Sequence, residues 1–359
     1  MVKKIAIAVY SFECGGVQTV SEALCSELSS NFELHLIAIT QSDFEVCDLK
    51  NTYVTQCNVQ KGKLSKVIVR SSFQLASYVK KHAIDLLLLQ TPYVGIIAPL
   101  LKILVTRKIK IVYCDHGSFN RSKSQVSLKD RIIYYICSHF SDKTVVLNDR
   151  IAQVAIQEYY APQDRVISIP NWYDALVVPH TTVSTRLLSV GRLSAEKGID
   201  RLIEAFALVH EVHPEWILDI VGDGPKRAEL QHQVEMKNLN SSIKFWGIRE
   251  DVAEFYRKSS IYILPSYREG MPMVLLEAKS HSLPIVAFDI MSGPREMIQD
   301  GVDGFLVEDG NVVEMAQRII QLIEDPKLRE EFSKNSTKIL ELYSKDRILK
   351  QWYKLFQSL

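Results

Sequence analysis

Short apolar runs alternate with longer stretches in which apolar residues recur every three or four positions. The short runs predict buried strands, and the longer stretches predict helices packed on a sheet. Such alternation is typical of parallel sheets whose strands are joined by helical crossovers. The predicted strands are 5–9, 34–39, 86–90, 109–113, 144–147 and 166–169, then 186–190, 217–221, 243–246, 261–264 and 285–288. The predicted helices are 18–29, 65–81, 95–105, 128–139, 149–159, 200–210, 225–237, 252–259 and 273–281, with 312–359 mostly helical.

The pattern is interrupted once, between residues 172 and 184, where Pro179 and His180 stand in a stretch without a strong period. We therefore predict two doubly wound parallel-sheet domains, residues 1–175 and 185–344. Ligands of such sheets bind beyond the carboxyl ends of the strands, so we expect the site in a cleft between the two domains.

Composition narrows the class of protein. With 47% hydrophobic and 24% charged residues among 359, the chain resembles an ordinary globular protein, which excludes a disordered chain and a disulfide-stapled mini-protein. The six cysteines form no Cys-x-x-Cys pair, and the longest apolar stretch is interrupted by Pro92 and Pro99. We predict a reduced, cytoplasmic protein without a membrane-spanning helix.

The net charge of +1 conceals a strongly basic segment. Between Lys50 and Arg131 the sequence has 15 Lys and Arg residues and three acidic residues. Such a field favours nucleic acid, acidic lipid or a phosphorylated substrate as partner. We expect no nucleic-acid binding, because the chain carries no recognisable reader motif.

Candidate anion-binding residues follow two of the predicted strands. Gly15 and Gly16 stand between a strand and a helix, where backbone N–H groups can approach an anion, although a simple tight turn would also use them. Arg192 and Lys197 share one loop, and a guanidinium fork beside an ammonium group suits a diphosphate. The alternative for this loop is a solvated surface on which Glu196 pairs with one of the cations.

Two later turns add further candidates. Gly222 and Gly224 flank Asp223, which we interpret as a cap of the following helix. Glu269 lies on the loop after strand 261–264, and Glu277 follows eight residues later among apolar neighbours. A carboxylate on a buried face needs partners, and sugar or ribose hydroxyls are good ones. The alternative for Glu277 is an ordinary surface glutamate.

In combination these motifs resemble family 4 of the retaining glycosyltransferases, which are nucleotide-sugar enzymes of the GT-B fold. The resemblance rests on the pair Glu269 and Glu277, the run 191–198 and the turn 222–225. It extends to Gly15 and Gly16, to His116 after strand 109–113 and to residues 169–171. It implies an α/β fold of two Rossmann-like domains facing across a cleft, with the helix 345–359 crossing back to the first domain.

The resemblance also implies roles for single residues. Arg192 and Lys197 would hold the donor diphosphate and offset the charge that develops as it leaves. Glu277 would bind the ribose hydroxyls and Glu269 would face the transferred sugar, while His116 would position the sugar and the acceptor. The expected catalytic residues are Glu269, His116, Arg192 and Lys197. The remaining expected donor contacts are Gly15, Gly16, Gly222, Gly270, Met271 and Pro272.

The implied reaction moves a hexose or N-acetylhexosamine from a nucleotide sugar, expected to be a UDP-sugar, to a lipid-linked or glycan acceptor with retention of configuration. The product would be a cell-surface polysaccharide or glycolipid: capsule, exopolysaccharide or O-antigen. We expect no metal and no cofactor, because two cations would stabilise the diphosphate and the chain has no Asp-x-Asp motif. One departure from the family pattern is Pro294 in the run 292–296, where proline removes an N–H donor.

In this family the first domain holds the acceptor, and here that domain contains the basic segment. We expect the basic face of residues 61–131 to dock on anionic membrane, with the protein peripheral on the inner face of the cell membrane. Solvated helix faces are the alternative. Two other functions stay open: a non-catalytic nucleotide-sugar-binding subunit of a transferase complex, and a sugar-nucleotide epimerase of the same fold.

Overall fold

The computed structural model describes residues 2–12, 16–42, 49–106, 108–174, 176–178 and 184–359. The chain forms two compact units: unit 1 contains residues 1–171 and 348–359, and unit 2 contains residues 172–347. The chain passes from unit 1 to unit 2 after residue 171 and returns to unit 1 at residue 348, a few residues from the predicted boundaries at 175 and 345. Gly15 and the basic residue Arg107 lie outside the described residues.

Unit 1 contains a parallel sheet, in which the described residues form seven strands in the order β3-β2-β1-β4-β5-β6-β7. The strands are β1 (Lys4–Val9), β2 (Glu33–Ala38), β3 (Thr52–Gln56), β4 (Leu86–Gln90), β5 (Lys110–Cys114), β6 (Lys143–Val146) and β7 (Val166–Ser168). The pattern did not predict β3, because this edge strand is largely exposed and has no apolar run.

Helices cover both faces of this sheet. They are α1 (Gly16–Leu28), α2 (Leu64–His82), α3 (Pro92–Gly95), α4 (Ala98–Leu104), α5 (Leu128–His139) and α6 (Asp149–Gln157). The helix predicted over 95–105 corresponds to α4, and the pattern missed the short helix α3 before it. Each begins with a proline in its first turn, where the missing N–H costs no hydrogen bond.

Unit 2 contains a second parallel sheet, with six strands in the order β10-β9-β8-β11-β12-β13 among the described residues. They are β8 (Arg186–Val190), β9 (Ile217–Val221), β10 (Ile243–Gly247), β11 (Ile261–Leu264), β12 (Ile285–Asp289) and β13 (Gly304–Glu308). Its helices are α7 (Ile199–Val212), α8 (Arg227–Met236), α9 (Val252–Lys258), α10 (Met273–Ser280), α11 (Pro294–Met297), α12 (Val312–Glu324) and α13 (Pro326–Ser336). The pattern missed β13, whose few apolar residues stand between a glycine and a glutamate.

Both sheets are doubly wound. Their strand order changes direction between β1 and β4 in unit 1 and between β8 and β11 in unit 2. In such sheets the loops at the carboxyl ends of these two strands diverge and leave a crevice for a ligand. In each unit apolar side chains on both faces of the sheet are buried, which holds these loops on a packed base.

The last helix, α14 (Lys345–Ser358), begins in unit 2, and its residues from Ile348 onward pack on unit 1. There Lys3 Nζ donates to the carbonyl of Phe356 at 2.6 Å, and the Phe32 ring stacks on Tyr353. Within the described ranges, none of the helices combines the length and the apolar surface that crossing a membrane requires.

Candidate functional site

The candidate donor residues of unit 2 lie on loops at the carboxyl edge of its sheet. Arg192 and Lys197 follow β8, Gly222 follows β9, and Glu269 follows β11. Since β8 pairs with both β9 and β11, these three loops are neighbours. The sheet order therefore brings together loops whose named residues are up to 77 positions apart, from Arg192 to Glu269.

Lys197 and Glu269 form the centre of this cluster. The Lys197 ammonium lies 2.9 Å from each carboxylate oxygen of Glu269, and Ser266 Oγ donates to Oε1 at 2.5 Å. The Ser292 hydroxyl also donates to the backbone carbonyl of Glu269 at 2.8 Å. Glu269 is only 7% exposed. Its carboxylate is held rigidly, and it holds the ammonium group in turn.

The alternative of a solvated loop with a Glu196 ion pair does not describe this site. The Glu196 carboxylate accepts a hydrogen bond from Ser194 Oγ at 2.7 Å, and this bond is the main reason that the pKa of Glu196 is lowered. Lys197 pairs with Glu269 instead. Arg192 is exposed, and no side chain among the described residues forms an ion pair with its guanidinium. Arg192 is therefore available to an anion.

Two glycines allow the loops to approach each other closely. Gly222 has φ 130°, and a Cβ atom there would lie 2.0 Å from the carbonyl oxygen of Gly191. Gly198 has φ 64°, and a Cβ atom there would lie 2.0 Å from the carbonyl oxygen of Pro265. A side chain at either position would push two loops apart. The structure thus gives Gly222 a packing role, independent of any contact with a donor.

Arg201 organises the loop of Glu269, and the sequence pattern did not reveal it. Its Nε donates to the carbonyl of Pro265 at 2.5 Å, a second guanidinium nitrogen donates to the carbonyl of Ser266, and Nη1 pairs with Asp309 at 2.6 Å. The guanidinium lies against the Phe288 ring, 3.9 Å from its centroid. An arginine on the apolar face of helix 200–210, beside Leu202, was the signal that could have identified it.

Glu277 lies in α10, half-buried. Its Oε2 accepts a hydrogen bond from the Tyr256 hydroxyl at 2.7 Å. Burial raises the pKa of Tyr256 well above its usual range, so the hydroxyl keeps its proton and remains a donor. The tyrosine orients the carboxylate, whose Oε1 is bonded to no side chain that the structure describes. This geometry suits recognition of a hydroxyl group.

The backbone of Gly270, Met271 and Pro272 connects Glu269 to α10. Pro272 packs against Gly293, where an added Cβ would lie 2.7 Å from the proline Cδ. The N–H of Gly293 donates to Glu296 Oε2 at 2.8 Å. Pro294, where the sequence departs from the family pattern, thus follows a residue, Gly293, whose N–H is already bonded within the same loop.

The interpretation of Asp223 as a helix cap is wrong. Helix α8 begins at Arg227, and no side chain caps it. The carboxylate of Asp223 instead accepts hydrogen bonds from the N–H of Gly224 and from Arg227, both at 2.7 Å. Asp223 therefore fixes its own turn against α8.

In unit 1, His116 follows β5 and contacts the end of the neighbouring strand β4. Its Nε2 lies 2.5 Å from Oε1 of Gln90, a buried residue that the sequence pattern did not single out. An amide oxygen accepts, so Nε2 carries the proton and Nδ1 is left as an acceptor. Burial lowers the pKa of His116, which favours the neutral ring. In the sequence, Gln90 could have been identified as a polar residue at the end of an apolar strand.

Asp115 holds the backbone beside His116. Its carboxylate accepts hydrogen bonds from the N–H groups of Gly117 at 3.0 Å and Ser118 at 2.8 Å, and from the Tyr113 hydroxyl at 2.8 Å. Thr91, next to Gln90, has φ 74°, a conformation that costs a threonine about 1–3 kcal/mol. Such strain is found where surrounding structure fixes a functional loop.

Gly16 begins α1, at the carboxyl end of β1. A Cβ atom at Gly16 would meet no described atom within 4 Å, so packing does not require glycine there. In the part of the chain that the structure describes, no group of three or more His, Cys, Asp or Glu side chains is arranged to hold a metal ion.

Two family models match the chain. The family described as "Glycosyl transferases group 1" matches residues 179–339, and "Glycosyltransferase Family 4" matches residues 14–175. An uncharacterized glycosyltransferase of Haemophilus influenzae is 28% identical over 358 residues, covering 98% of this chain and 99% of the relative. The amylovoran biosynthesis glycosyltransferase AmsD of Erwinia amylovora is 28% identical over 351 residues, covering 94% and 95%.

A solved structure shares the fold over both units. The crystal structure of Anabaena HepE in complex with UDP superposes with a TM-score of 0.84 and 20% sequence identity, covering 99% of this chain and 100% of HepE. At this identity the likeness is one of fold.

Proposed function

Since the chain belongs to the glycosyl transferases group 1 and has the GT-B fold, as its motifs indicated, we propose that it builds a cell-surface polysaccharide. It takes a hexose or N-acetylhexosamine from a UDP-sugar and transfers it, with retention, to a lipid-linked or glycan acceptor. AmsD is named as an amylovoran biosynthesis glycosyltransferase, which supports a role in polysaccharide synthesis. HepE was crystallised with UDP, which supports a UDP-sugar as the donor.

The observation that carries this proposal is the pairing of Lys197 with Glu269 beside an available Arg192. Two cations at one loop can bind a diphosphate and stabilise the charge that develops as it leaves, and this would make a metal ion unnecessary. A departing diphosphate oxygen can then accept the proton of the acceptor hydroxyl on the same face of the sugar. That step forms the new glycosidic bond with retention and needs no enzymic nucleophile.

Glu277 supports the nucleotide end of the same donor. The Tyr256 hydroxyl holds one carboxylate oxygen, and the other can accept hydrogen bonds from the ribose hydroxyls. Because Glu277 and Glu269 bracket the start of α10, one short segment would contact both the ribose and the transferred sugar. We place Gly270, Met271 and Pro272 along the donor between them.

Nucleotide binding tests this proposal directly. UDP-sugars, but not GDP- or ADP-sugars, are expected to stabilise the protein, by about 2.7 kcal/mol at 100 times the dissociation constant. Glu277→Ala is expected to abolish most of that stabilisation, because the ribose hydroxyls lose their acceptor. Thermal shift measures both effects. Glu235→Ala, at an exposed glutamate on α8, is the matched control and should respond like the wild type. An equal shift in Glu277→Ala, or no shift with any nucleotide, would contradict the proposal.

Gln90 provides a second test, at the acceptor side. Gln90→Leu is expected to lower kcat/KM about tenfold, because the tautomer of His116 is no longer fixed. A tenfold change corresponds to ~1.4 kcal/mol, about the contribution of one hydrogen bond. Gln90→Glu keeps an oxygen toward His116 and should retain more activity. Steady-state kinetics with varied acceptor measures the effect, and UDP binding should not change. Equal kcat/KM in Gln90→Leu and the wild type would remove the role assigned to His116.

Membrane docking is the further part of the proposal. Helix α4 packs beside both α2 and α5, and each of the three carries exposed apolar residues next to basic ones. The exposed apolar residues are Val69, Phe73, Ile103, Leu128, Ile132 and Tyr135. The exposed basic residues among them are Lys66, Arg70, Lys102 and Lys129. We call these two sets the apolar-basic face. Solvated charges alone do not explain the exposed apolar groups, whereas an anionic membrane surface accommodates both.

Vesicle binding tests the apolar-basic face. The double substitution Leu128→Ser with Ile132→Ser is expected to reduce binding to phosphatidylglycerol vesicles at least tenfold, because two exposed apolar groups on α5 are lost. Co-sedimentation measures the bound fraction. Val313→Ser, at a residue 56% exposed on unit 2, is the control and should bind like the wild type. Equal binding to neutral and anionic vesicles, or none to either, would rule out this docking mode.

A further inference from the structure

Unit 2 carries a concave site that is lined by none of the loops of the candidate donor site. It is a groove of about 670 Å³ at the edge of the sheet formed by β10, partly covered by α9. The volume lies within the range of small-ligand pockets. The residues that matter here are Arg186, Asp219, Trp246, Arg249, Asp251 and Phe255.

Trp246 presents an indole ring that is locked in place yet 41% exposed. Its Nε1 donates to Oδ1 of the buried Asp219 at 2.7 Å, and Arg186 binds both oxygens of that carboxylate at 2.7 and 2.8 Å. The Phe255 ring packs against the indole at 5.2 Å between centroids. Because the N–H is satisfied inside the protein, the exposed part of the side chain is an apolar surface of fixed orientation.

The charged groups around the indole are paired. Arg249 binds both oxygens of Asp251 at 2.9 and 3.0 Å, as Arg186 binds Asp219. Three cationic and three anionic side chains line the groove in total, so it has no net charge. A phosphate or a polyanion therefore finds no charge complement there. A neutral ligand with an apolar face and in-plane hydroxyl groups can stack on the indole and bond to the edges of the paired guanidinium and carboxylate groups.

We propose that this groove binds a neutral oligosaccharide, with one sugar ring stacked on Trp246. This inference rests on the proposed function in one respect: an enzyme that builds a polysaccharide works in the presence of such glycans. The groove then retains the growing chain on unit 2, apart from the donor loops.

The test is direct binding by isothermal titration and saturation-transfer NMR. The probes are maltotriose, galactotriose and tri-N-acetylchitotriose, with the full-length protein. At least one of these trisaccharides is expected to bind with a dissociation constant of about 1 mM, which corresponds to a binding free energy of ~4 kcal/mol. Trp246→Ala should weaken binding at least tenfold, while Trp246→Phe should keep most of it. Ile248→Ala, at an exposed neighbour outside the groove, is the control.

UDP binding is measured on the same samples, so that a failure of this inference and a failure of the proposed function are distinguishable. No saturable binding of any probe, or equal binding in Trp246→Ala, would overturn the inference. Competition by UDP would assign the groove to the donor site, and a dimer that Trp246→Ala dissociates would assign it to a second copy. Should Trp246→Ala fail to fold, Arg249→Ala decides in its place, because the Arg249 pair with Asp251 is exposed.

Discussion

Lys197→Ala is expected to lower kcat roughly 100- to 1,000-fold, because the cation that stabilises the leaving diphosphate is lost. The same change leaves the Glu269 carboxylate, 6% exposed as a side chain, without its ion-pair partner. Loss of one member of a buried pair costs about 3–5 kcal/mol, and the partial exposure of Lys197 reduces that figure. Activity assays together with chemical denaturation measure the two effects separately.

A double variant separates catalysis from stability. Lys197→Met with Glu269→Gln removes both charges, so the free energy of unfolding should recover most of what Lys197→Ala loses. Transfer should stay as low as in the single variant, because no cation has been restored. Recovery of activity along with stability would show that Lys197 is only a structural residue. If the wild type epimerised the UDP-sugar without transferring it, the epimerase would be favoured; if it bound the UDP-sugar without any turnover, the non-catalytic subunit would be favoured.

Arg201→Ala is expected to reduce the free energy of unfolding of unit 2 by about 3 kcal/mol and to abolish measurable transfer. The substitution leaves the carbonyls of Pro265 and Ser266 without their donors, each at a cost of about 1–3 kcal/mol, and removes a guanidinium packed on Phe288. The loop that orients Glu269 then loses its anchor. Urea denaturation followed by tryptophan fluorescence measures the change in stability.

Two controls accompany Arg201→Ala. Arg257→Ala removes an arginine from an exposed i,i+3 pair with Glu254 and should change stability by less than about 0.5 kcal/mol. Arg201→Lys keeps the charge but replaces three guanidinium nitrogens, each bonded to a different acceptor, with a single ammonium nitrogen, so its stability should fall between those of the wild type and the alanine variant. If Arg201→Ala matched Arg257→Ala, the loop would be held by its backbone alone.

The local pattern was enough to predict much of the fold. Apolar runs identified strands such as β1, β4 and β11, because a strand buried on both faces is apolar along most of its length. The pattern failed at the exposed edge strand β3 and at the short β13. Strand order could not be derived from the pattern, since neighbours such as β8 and β11 are separated by two other strands along the chain.

The sequence by itself determined the class of protein, because the order and spacing of Gly191–Gly198, Gly222–Pro225 and Glu269 with Glu277 are local properties that a family retains. The tertiary structure alone decided the partners of those residues. Lys197 pairs with Glu269 rather than Glu196, and Gln90 contacts His116 across two adjacent strands. Side-chain partners follow from which loops a sheet brings together, and that depends on packing of the whole unit rather than on neighbouring residues.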